Sequence, residues 1–355
     1  MNNIERIQEI LKERGLDGLL LTDEKNQRYA AGFAFTDGAV LVGREKAWLI
    51  TDSRYIEAAE KAAAGVTVWL YDRERPLMER LKAAIREAGV ARLAAEDGKL
   101  SHREYLGYEQ DLGMELLPAG ELMAKLRAAK TEEEQRAMRA AQAIAERALE
   151  EVLPLIRPGM TEKQVMAELV YRTLRHGSEG NAFDPIVVSG PNTSLPHGVP
   201  GDRVIQRGDF VTMDFGCLKD GYCSDMTRTV AVGEASDEMR NVYDIVLQAQ
   251  LAGISVARAG IPGKEIDAAA RKVITEAGYG PYFGHGFGHS LGLDIHEAPS
   301  ANLRGEEPMP VGAVCSAEPG IYLPGRFGVR IEDVMILREG GCEVITKAPK
   351  ELIIL

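Results

Sequence analysis

The sequence predicts an α+β protein in two parts, a smaller α/β domain over residues 1–127 and a larger α+β domain over residues 128–355. Strand and helix patterns alternate through the first part, as is typical of α/β domains. A helix-start signal just after residue 130 marks the beginning of the second part. Within the second part, two segments separated by an offset of 101 residues resemble each other. This internal repeat predicts two similar halves related by a pseudo-two-fold axis.

The elements of the first domain follow from apolar spacing and turn residues. They are, in order, a helix over Ile4–Arg14, a strand over Asp17–Thr22, a hairpin of Ala39–Gly43 and Ala47–Thr51, a strand over Val66–Tyr71, and a helix over Pro76–Gly89. The last of these helices is expected to end on its glycine, which adopts the left-handed conformation at little cost.

The second domain opens with a capping box, in which Thr131 is followed three residues later by Glu134. This pattern predicts a long helix that runs to about Leu153. Further along, residues 157–163 resemble residues 258–264. Each copy predicts a turn followed by an amphipathic helix that ends at a glycine. The crevice between two such halves is the natural place for a binding site.

Composition excludes several classes of function. The chain has 42 Lys and Arg against 54 Asp and Glu, a formal net charge of −12. This balance argues against binding to nucleic-acid phosphates and against a basic membrane-surface protein. The excess acid either provides solubility or binds something cationic.

Targeting signals and cysteine pairs are also lacking in the sequence. No run approaches the roughly 18 apolar residues of a membrane span, and the first residues carry no signal-peptide pattern. The four cysteines show no CxxC pair. We therefore expect a cytoplasmic protein with reduced, mostly buried thiols.

Two aspartates stand on a predicted hairpin. Residues 211–216 and 222–232 have strand composition, and Lys219–Gly221 forms the turn between them. The midpoint of Asp214 and Asp225 falls inside this turn, so we expect the two carboxylates to face each other directly across the hairpin. Such a pair requires a proton or a cation between the like charges. The alternative is that one of the two aspartates caps a turn.

Four of the six histidines fall between residues 197 and 296, namely His197, His285, His289 and His296. His285 and His289 have the i, i+4 spacing of a helical metal pair. Glycines at positions 284, 286 and 288 argue against a helix, however. They favour an extended segment that a ligand or another backbone approaches closely.

Further charged residues lie near strand ends. Glu318 directly precedes Pro-Gly, and Arg330 and Glu332 have the parity of one strand face. The alternative for the latter two is a surface ion pair on an edge strand. The carboxylates and the imidazole together make a set of five: Asp214, Asp225, His289, Glu318 and Glu332. Such a set suits two divalent cations of moderate hardness, such as Mn²⁺ or Co²⁺, better than a thiolate zinc site.

Five motifs, MDFG, SDMTRT, GHGFGHSLGLDIHE, EPGIY and VRIED, occur in this order in the second part. On these motifs the chain resembles the pita-bread metallopeptidases, within them the Xaa-Pro peptidase branch of prolidases and aminopeptidases P. Residues 26–32, residues 51–55 and the helix after Thr131 resemble the creatinase-type N-terminal domain and its junction. The resemblance covers essentially the whole chain.

The resemblance implies a pita-bread catalytic domain over residues 128–355 and a dinuclear-metal exopeptidase that hydrolyses Xaa-Pro bonds. A metal-bridged hydroxide would attack the scissile carbonyl, and Glu318 would shuttle the proton. His285 and His296 would stabilise the oxyanion, His197 would contact substrate, and Arg330 would support the site from behind. The implied metal ligands are Asp214, Asp225, His289, Glu318 and Glu332. Mn²⁺ or Co²⁺ is expected and Zn²⁺ is compatible.

The resemblance also implies partners. These are a proline-containing di- or oligopeptide substrate and a second copy of the chain in a homodimer, with no nucleic acid and no membrane.

Departures from the family pattern leave choices open. Ser316 stands where many relatives have threonine, which keeps a hydroxyl. Ser300 stands where many prolidases carry an arginine for the dipeptide carboxylate, with Arg304 nearby. The choice between dipeptidase and aminopeptidase therefore stays open. The alternatives are a catalytically idle binding or scaffold protein on the same fold, or another pita-bread hydrolase such as methionine aminopeptidase or creatinase.

Overall fold

The computed structural model describes residues 2–355. The chain divides into two compact units, one ending at Leu126 and the other starting at Arg127. No helix formed by residues 2–355 is long and apolar enough to cross a membrane.

The first unit is built from five complete helices, the start of a sixth, and six strands. Its elements are α1 Asn3–Glu13, β1 Gly18–Leu21, α2 Glu24–Ala31, β2 Gly38–Gly43, β3 Ala47–Thr51, α3 Ile56–Ala62, β4 Thr67–Leu70, α4 Leu77–Ala88, β5 Leu93–Ala95, α5 His102–Leu112, β6 Leu116–Pro118 and α6 Leu122–Ala128.

The strands of this unit form one mixed sheet in the order β4-β3-β2-β1-β5-β6. The predicted hairpin is confirmed, since β2 and β3 pair antiparallel. Helix α4 ends on Gly89 with φ of 65°, as predicted. Trp48 lies in the core, where apolar residues of the sheet and of α4 pack together. The unit is thus an α/β sandwich with its own hydrophobic core.

The second unit contains four further helices and twelve strands. They are α7 Glu132–Val152, α8 Glu162–Arg175, β7 Ile186–Ser189, β8 Phe210–Phe215, β9 Leu218–Lys219, β10 Tyr222–Cys223, β11 Met226–Ala231, α9 Asp237–Val256, α10 Gly263–Glu276, β12 Gly288–Ser290, β13 Glu297–Ala301, β14 Val314–Ala317, β15 Gly320–Leu323, β16 Phe327–Arg330, β17 Asp333–Arg338 and β18 Gly341–Val344.

The capping box at the start of α7 is confirmed. The Thr131 side chain accepts from the backbone of Glu134, and the Glu134 carboxylate accepts from the backbone of Thr131. The backbone N–H groups of Thr131 and Glu134 have no partner within the helix, and the capping box pairs both of them.

The internal repeat appears as two halves with the same local hydrogen bonds. Gly159 and Gly260 have φ of 97° and 86°, and the backbone N–H of each donates across to a later strand-like segment. Helices α8 and α10 are both followed by a left-handed glycine, with φ of 97° and 87°. The first half packs α7 and α8 on the sheet β11-β8-β7, and the second packs α9 and α10 on β13-β12-β14-β17-β18.

The expected direct opposition of Asp214 and Asp225 is wrong. In the β8–β11 ladder Asp214 pairs with Thr227, two residues beyond Asp225. The turn consists of only Asp220 and Gly221, with φ of 49° and 73°, the signature of a type I′ hairpin turn. The turn is centred between Asp220 and Gly221 rather than between Lys219 and Asp220, and this moves the partner of Asp214 by two residues. The two aspartates therefore stay on the same face but lie diagonally.

The glycine-rich segment around His289 is extended, as predicted. A Cβ at Gly288 would lie 2.0 Å from the carbonyl oxygen of Ser316, so β12 can approach β14 only with a glycine there. All four cysteines are free thiols, and three of them are buried.

Candidate metal centre

An open pocket of about 410 Å³ lies in the second unit, where residues from both halves meet. All nine site residues singled out from the sequence line it: His197, Asp214, Asp225, His285, His289, His296, Glu318, Arg330 and Glu332. The alternative of a surface ion pair does not apply, because Arg330 and Glu332 are buried. Neither Asp214 nor Asp225 lies in a turn, so the alternative of a turn cap does not apply either.

The carboxylates come from strands or from the residues next to them. Asp214 lies within β8 and Asp225 directly precedes β11. Glu318 follows β14, and Glu332 separates β16 from β17. A backbone bond from Glu332 N–H to the Thr227 carbonyl (3.1 Å) connects β11 to this last segment. Hydrogen bonds of the strands therefore hold the backbone at or next to each of these four carboxylates.

Three carboxylate oxygens in the pocket have no hydrogen-bond partner. They are Oδ1 of Asp214, Oδ1 of Asp225 and Oε1 of Glu332, all fully buried. Burying a charged oxygen without a partner is costly, and native proteins rarely tolerate it. Ligand atoms of Asp225, His289 and Glu332 lie within 4.8 Å of one another. This arrangement fits a divalent cation.

The orientation of His289 supports the same conclusion. Its Nδ1 lies 3.2 Å from the carbonyl oxygen of Ser290, and a carbonyl can only accept, so Nδ1 carries the proton. Burial lowers the pKa of His289, so the ring is neutral near pH 7 and Nε2 presents a lone pair. That lone pair faces Asp225 Oδ2 at 3.6 Å and Glu318 Oε1 at 3.3 Å. Acceptors that converge in this way need a proton or a cation between them, and this geometry fits a cation.

Burial and mutual repulsion raise the pKa of three pocket acids. Burial raises the pKa of Asp225 well above its ordinary value, and the charges of Asp214 and Glu318 add to the effect. The pKa of Glu332 is raised well above its ordinary value by burial and by Asp225. Burial likewise raises the pKa of Glu318. Without a cation the pocket therefore favours protons on these groups.

Arg330 is fully engaged by neighbouring groups. One guanidinium nitrogen donates to Asp214 Oδ2 (2.6 Å), another donates to the Tyr322 hydroxyl (2.9 Å), and Nε donates to Thr227 Oγ1 (3.1 Å). Thr227 in turn donates to Glu332 Oε2 at 2.7 Å. Arg330 thus lies behind the acids and neutralises part of their charge.

Ser316 links the histidine strand to the glutamate strand. The backbone N–H of His289 donates to Ser316 Oγ (3.0 Å), and this hydroxyl donates to Glu318 Oε1 (3.2 Å). The Ser316 hydroxyl therefore connects β12 to the Glu318 carboxylate.

The three other histidines differ in how their rings are held. His285 Nδ1 lies 2.9 Å from the Gly286 carbonyl, and Nε2 lies 2.9 Å from the Tyr322 hydroxyl. Both ring nitrogens of His285 are therefore occupied before any substrate arrives. His197 and His296 are exposed at the pocket, and their rings have no hydrogen-bond partner among residues 2–355. These two are free to contact a ligand.

Sequence reasoning missed the roles of Tyr322 and Thr227. Both lie inside sequence motifs of the second part, EPGIY and SDMTRT. The available signal for Tyr322 was parity, because Glu318 and Tyr322 are separated by an even number of residues in an extended segment. Thr227 shares strand parity with Asp225, so it points to the same face.

Comparisons with known proteins identify the family of this chain. Residues 136–339 match the model of metallopeptidase family M24, and residues 3–129 match the creatinase/prolidase N-terminal domain. A Xaa-Pro dipeptidase of Pyrococcus furiosus is 33% identical, with 99% of each chain covered. The solved structure of a Xaa-Pro dipeptidase from Bacillus anthracis is similar with a TM-score of 0.95, 45% identity and 99% of each chain covered.

An X-Pro aminopeptidase from Thermotoga maritima is similar with a TM-score of 0.91, 37% identity and full coverage of both chains. Relatives named for both activities thus share the whole architecture. The model of metallopeptidase family M24 covers more than half of the chain. The chain therefore belongs to metallopeptidase family M24 and is a peptidase with the pita-bread fold.

Proposed function

We propose that the protein is an exopeptidase that hydrolyses the bond between a first residue and a following proline. The observation that carries this proposal is the pocket in which unpaired buried carboxylate oxygens face the lone pair of His289, with His197 and His296 exposed beside them. Relatives named for Xaa-Pro hydrolysis cover the chain from end to end, which supports this bond as the substrate.

The five residues proposed to hold two divalent cations are Asp214, Asp225, His289, Glu318 and Glu332. Their oxygen-rich donor set fits Mn²⁺ or Co²⁺, and Zn²⁺ is compatible. Bound cations of this kind supply an activated water at neutral pH and polarise a carbonyl.

The side chains around the cations have separate tasks. Glu318 is proposed to accept and return a proton. Burial raises its pKa, and Ser316 orients one of its oxygens. His296 and His197 are proposed to donate to the developing oxyanion or to the substrate backbone. His285, whose ring nitrogens are occupied, acts through Tyr322 rather than as a free donor.

The pocket favours peptides longer than a dipeptide. Arg330 is the one Lys or Arg side chain among the residues that line the pocket, and its donors are directed to Asp214, Tyr322 and Thr227. A free C-terminal carboxylate would therefore meet no available Lys or Arg, since the lining residue at position 300 is a serine. We propose that Xaa-Pro-Yaa is cleaved at least as well as Xaa-Pro.

The test is hydrolysis by the Mn²⁺-loaded protein of Ala-Pro and of Gly-Pro-hydroxyproline. We expect release of the first residue from both peptides, with the tripeptide at least as fast. Absence of cleavage while two metal ions are bound would contradict the proposed function. A strong preference for the dipeptide would contradict only the statement on length and would point to Arg304 as the carboxylate partner.

A homodimer is proposed from the family resemblance alone. Light scattering is expected to give a mass near twice 38.7 kDa. A mass near that of one chain would contradict the dimer without affecting the proposed chemistry.

A further inference from the structure

His296 lacks the ring contacts that fix the other two histidines around it. The ring of His285 is hydrogen-bonded through both nitrogens, and that of His289 through Nδ1. His296 has only an edge-to-face contact with His289, with ring centroids 4.3 Å apart. The position of the His296 ring is therefore decided by its backbone and by whatever holds that backbone.

The next residue, Glu297, is held in a buried ionic cluster. Its carboxylate accepts from the Arg127 guanidinium, from Lys130 Nζ (3.0 Å) and from the backbone N–H of Asp294 (3.0 Å). Asp294 also accepts from Arg127, at 2.7 Å. The side chains of Arg127, Lys130 and Glu297 are 7%, 1% and 6% exposed. Such pairs are strongly coupled, because removing one partner leaves a buried charge unpaired.

The loop around this carboxylate is shaped to receive it. A Cβ at Gly292 would lie 2.7 Å from Glu297 Oε2, so a glycine there leaves room for the carboxylate. The bond from Asp294 N–H to Glu297 closes the loop of residues 292–297 on itself. Burial alone would raise the pKa of Glu297, but Lys130 and Arg127 outweigh it and hold that pKa below its ordinary value. The carboxylate is therefore charged at neutral pH.

The strand pairing next to this loop is irregular. His289 pairs with Ser300, but the adjacent Ser290 pairs with Glu297, so β12 and β13 shift register between these points. Regular ladder bonds thus do not continue up to His296. The ionic cluster is the element that connects the His296 backbone to the start of the second unit.

We propose that Glu297, held between Arg127 and Lys130, is a positioning residue that sets the place of the His296 ring in the pocket. The activity part of its test rests on the proposed function, but the position of the ring can be measured without it. The substitution Glu297→Gln keeps the shape of the side chain and removes the negative charge that pairs with Arg127 and Lys130.

The direct experiment records the imidazole signals of the six histidines by long-range ¹⁵N NMR, in the metal-free protein and after addition of Zn²⁺. His296→Ala assigns the signal of interest. In Glu297→Gln we expect the His296 signal to shift or broaden while the signal of His285 stays in place. An unchanged His296 signal would overturn the proposal, whether or not the protein is a peptidase.

The kinetic experiment is a double-mutant cycle on an Xaa-Pro substrate. Glu297→Gln is expected to lower kcat by roughly ten- to a hundredfold, with KM and bound metal little changed, because a small displacement of a group that contacts the transition state costs this much. In the His296→Ala background the same substitution should cost less than about twofold. Additive losses, or a loss of metal that parallels the loss of kcat, would overturn the proposal.

Two further variants protect these tests from a folding defect. Lys130→Met removes one of the two positively charged partners of Glu297 and leaves the contact between Arg127 and Glu297. We expect smaller changes in the His296 signal and in kcat, in the same direction as for Glu297→Gln. Glu343→Gln removes an exposed carboxylate that pairs with Arg139 and Arg338, and it should change neither the His296 signal nor kcat. If Lys130→Met folds and moves neither quantity, the proposal is contradicted.

Discussion

The acids proposed to bind metal and the histidines proposed to face substrate are held in different ways. Asp214, Asp225 and Glu332 lie in or beside ladders whose hydrogen bonds fix their backbone. His197 and His296 lie outside the strands. The proposed metal ligands (the metal set) are thus part of the sheet framework. The proposed substrate-binding histidines (the substrate set) lie on loops that other side chains hold in place.

Each of the three histidine-bearing loops is held by a buried acid outside the metal set. Glu162 accepts from Ser189 and Asn192 and from the backbone of Gly201 around the His197 loop. Asp267 accepts from the backbone N–H of Phe287, and its partner Arg271 donates to the carbonyl of His285. Glu297 accepts from the backbone N–H of Asp294 and so holds the loop that carries His296. The comparison predicts that metal binding and turnover can be lost separately.

The largest effect is expected from Asp225→Asn. This substitution removes a charged oxygen from the centre of the metal set, so we expect loss of bound Mn²⁺ and a fall in kcat/KM of at least about a thousandfold. That is more than the loss of one oxyanion donor costs. Metal analysis by mass spectrometry beside a peptide assay checks both. Full activity with fewer than two ions would break the assignment of the site.

His296→Ala should lower kcat by about a hundredfold and leave the metal content unchanged, because the side chain is exposed at the pocket and outside the metal set. The same two measurements apply. If this variant lost metal as Asp225→Asn does, the division between the two sets would be wrong.

Glu162→Gln should reduce stability more than it reduces metal binding. The carboxylate is fully buried and accepts several hydrogen bonds, of which an amide can keep only part. We expect a loss of about 1–3 kcal/mol in the free energy of unfolding, measured with urea. Glu150→Gln on the exposed face of α7 is the matched control, and an equal loss there would remove the special role of Glu162.

Repulsion among the buried acids should lower the stability of the metal-free protein as pH rises. Since the folded-state pKa of Asp225 is raised, this group contributes stability below its unfolded pKa and loses it as pH rises through the folded pKa. Metal-free Asp225→Asn should therefore become more stable than the metal-free parent as pH rises, by up to about 1.4 kcal/mol per pH unit.

With saturating Mn²⁺ the order should reverse, because bound cations stabilise the parent in proportion to their affinity. Urea unfolding between pH 5 and pH 8, with and without metal, measures both differences. A parent that is the more stable protein at pH 8 without metal would contradict the repulsion among the acids.

Local sequence patterns predicted much of this molecule because they depend on neighbouring residues. The capping box of Thr131 and Glu134, the glycine end at Gly89 and the extended segment at Gly288 follow from backbone rules that act over a few positions. The shared face of Arg330 and Glu332 follows from strand parity alone.

Two features could not be predicted for different reasons. The pairing of Asp214 with Thr227 depends on a turn centred between Asp220 and Gly221, one position later than direct opposition to Asp225 requires, and sequence composition permits both positions. The contact between Arg127 and Glu297 joins residues 170 positions apart, so no local pattern contains it. Such contacts are set by how distant elements pack, and they hold the loops that carry the substrate set.

The boundary near residue 127 predicts that the second unit folds independently of the first. Independent folding of residues 128–355 would be seen as a separate unfolding transition in calorimetry of the full chain.

The most direct test of the metal centre is anomalous diffraction from crystals of the protein grown with Mn²⁺. We predict two peaks about 3.5–4 Å apart, with Asp214, Asp225, His289, Glu318 and Glu332 as the protein ligands and His296 outside the coordination sphere. A single peak, or two peaks that include His296 and leave out Asp214, would contradict the account.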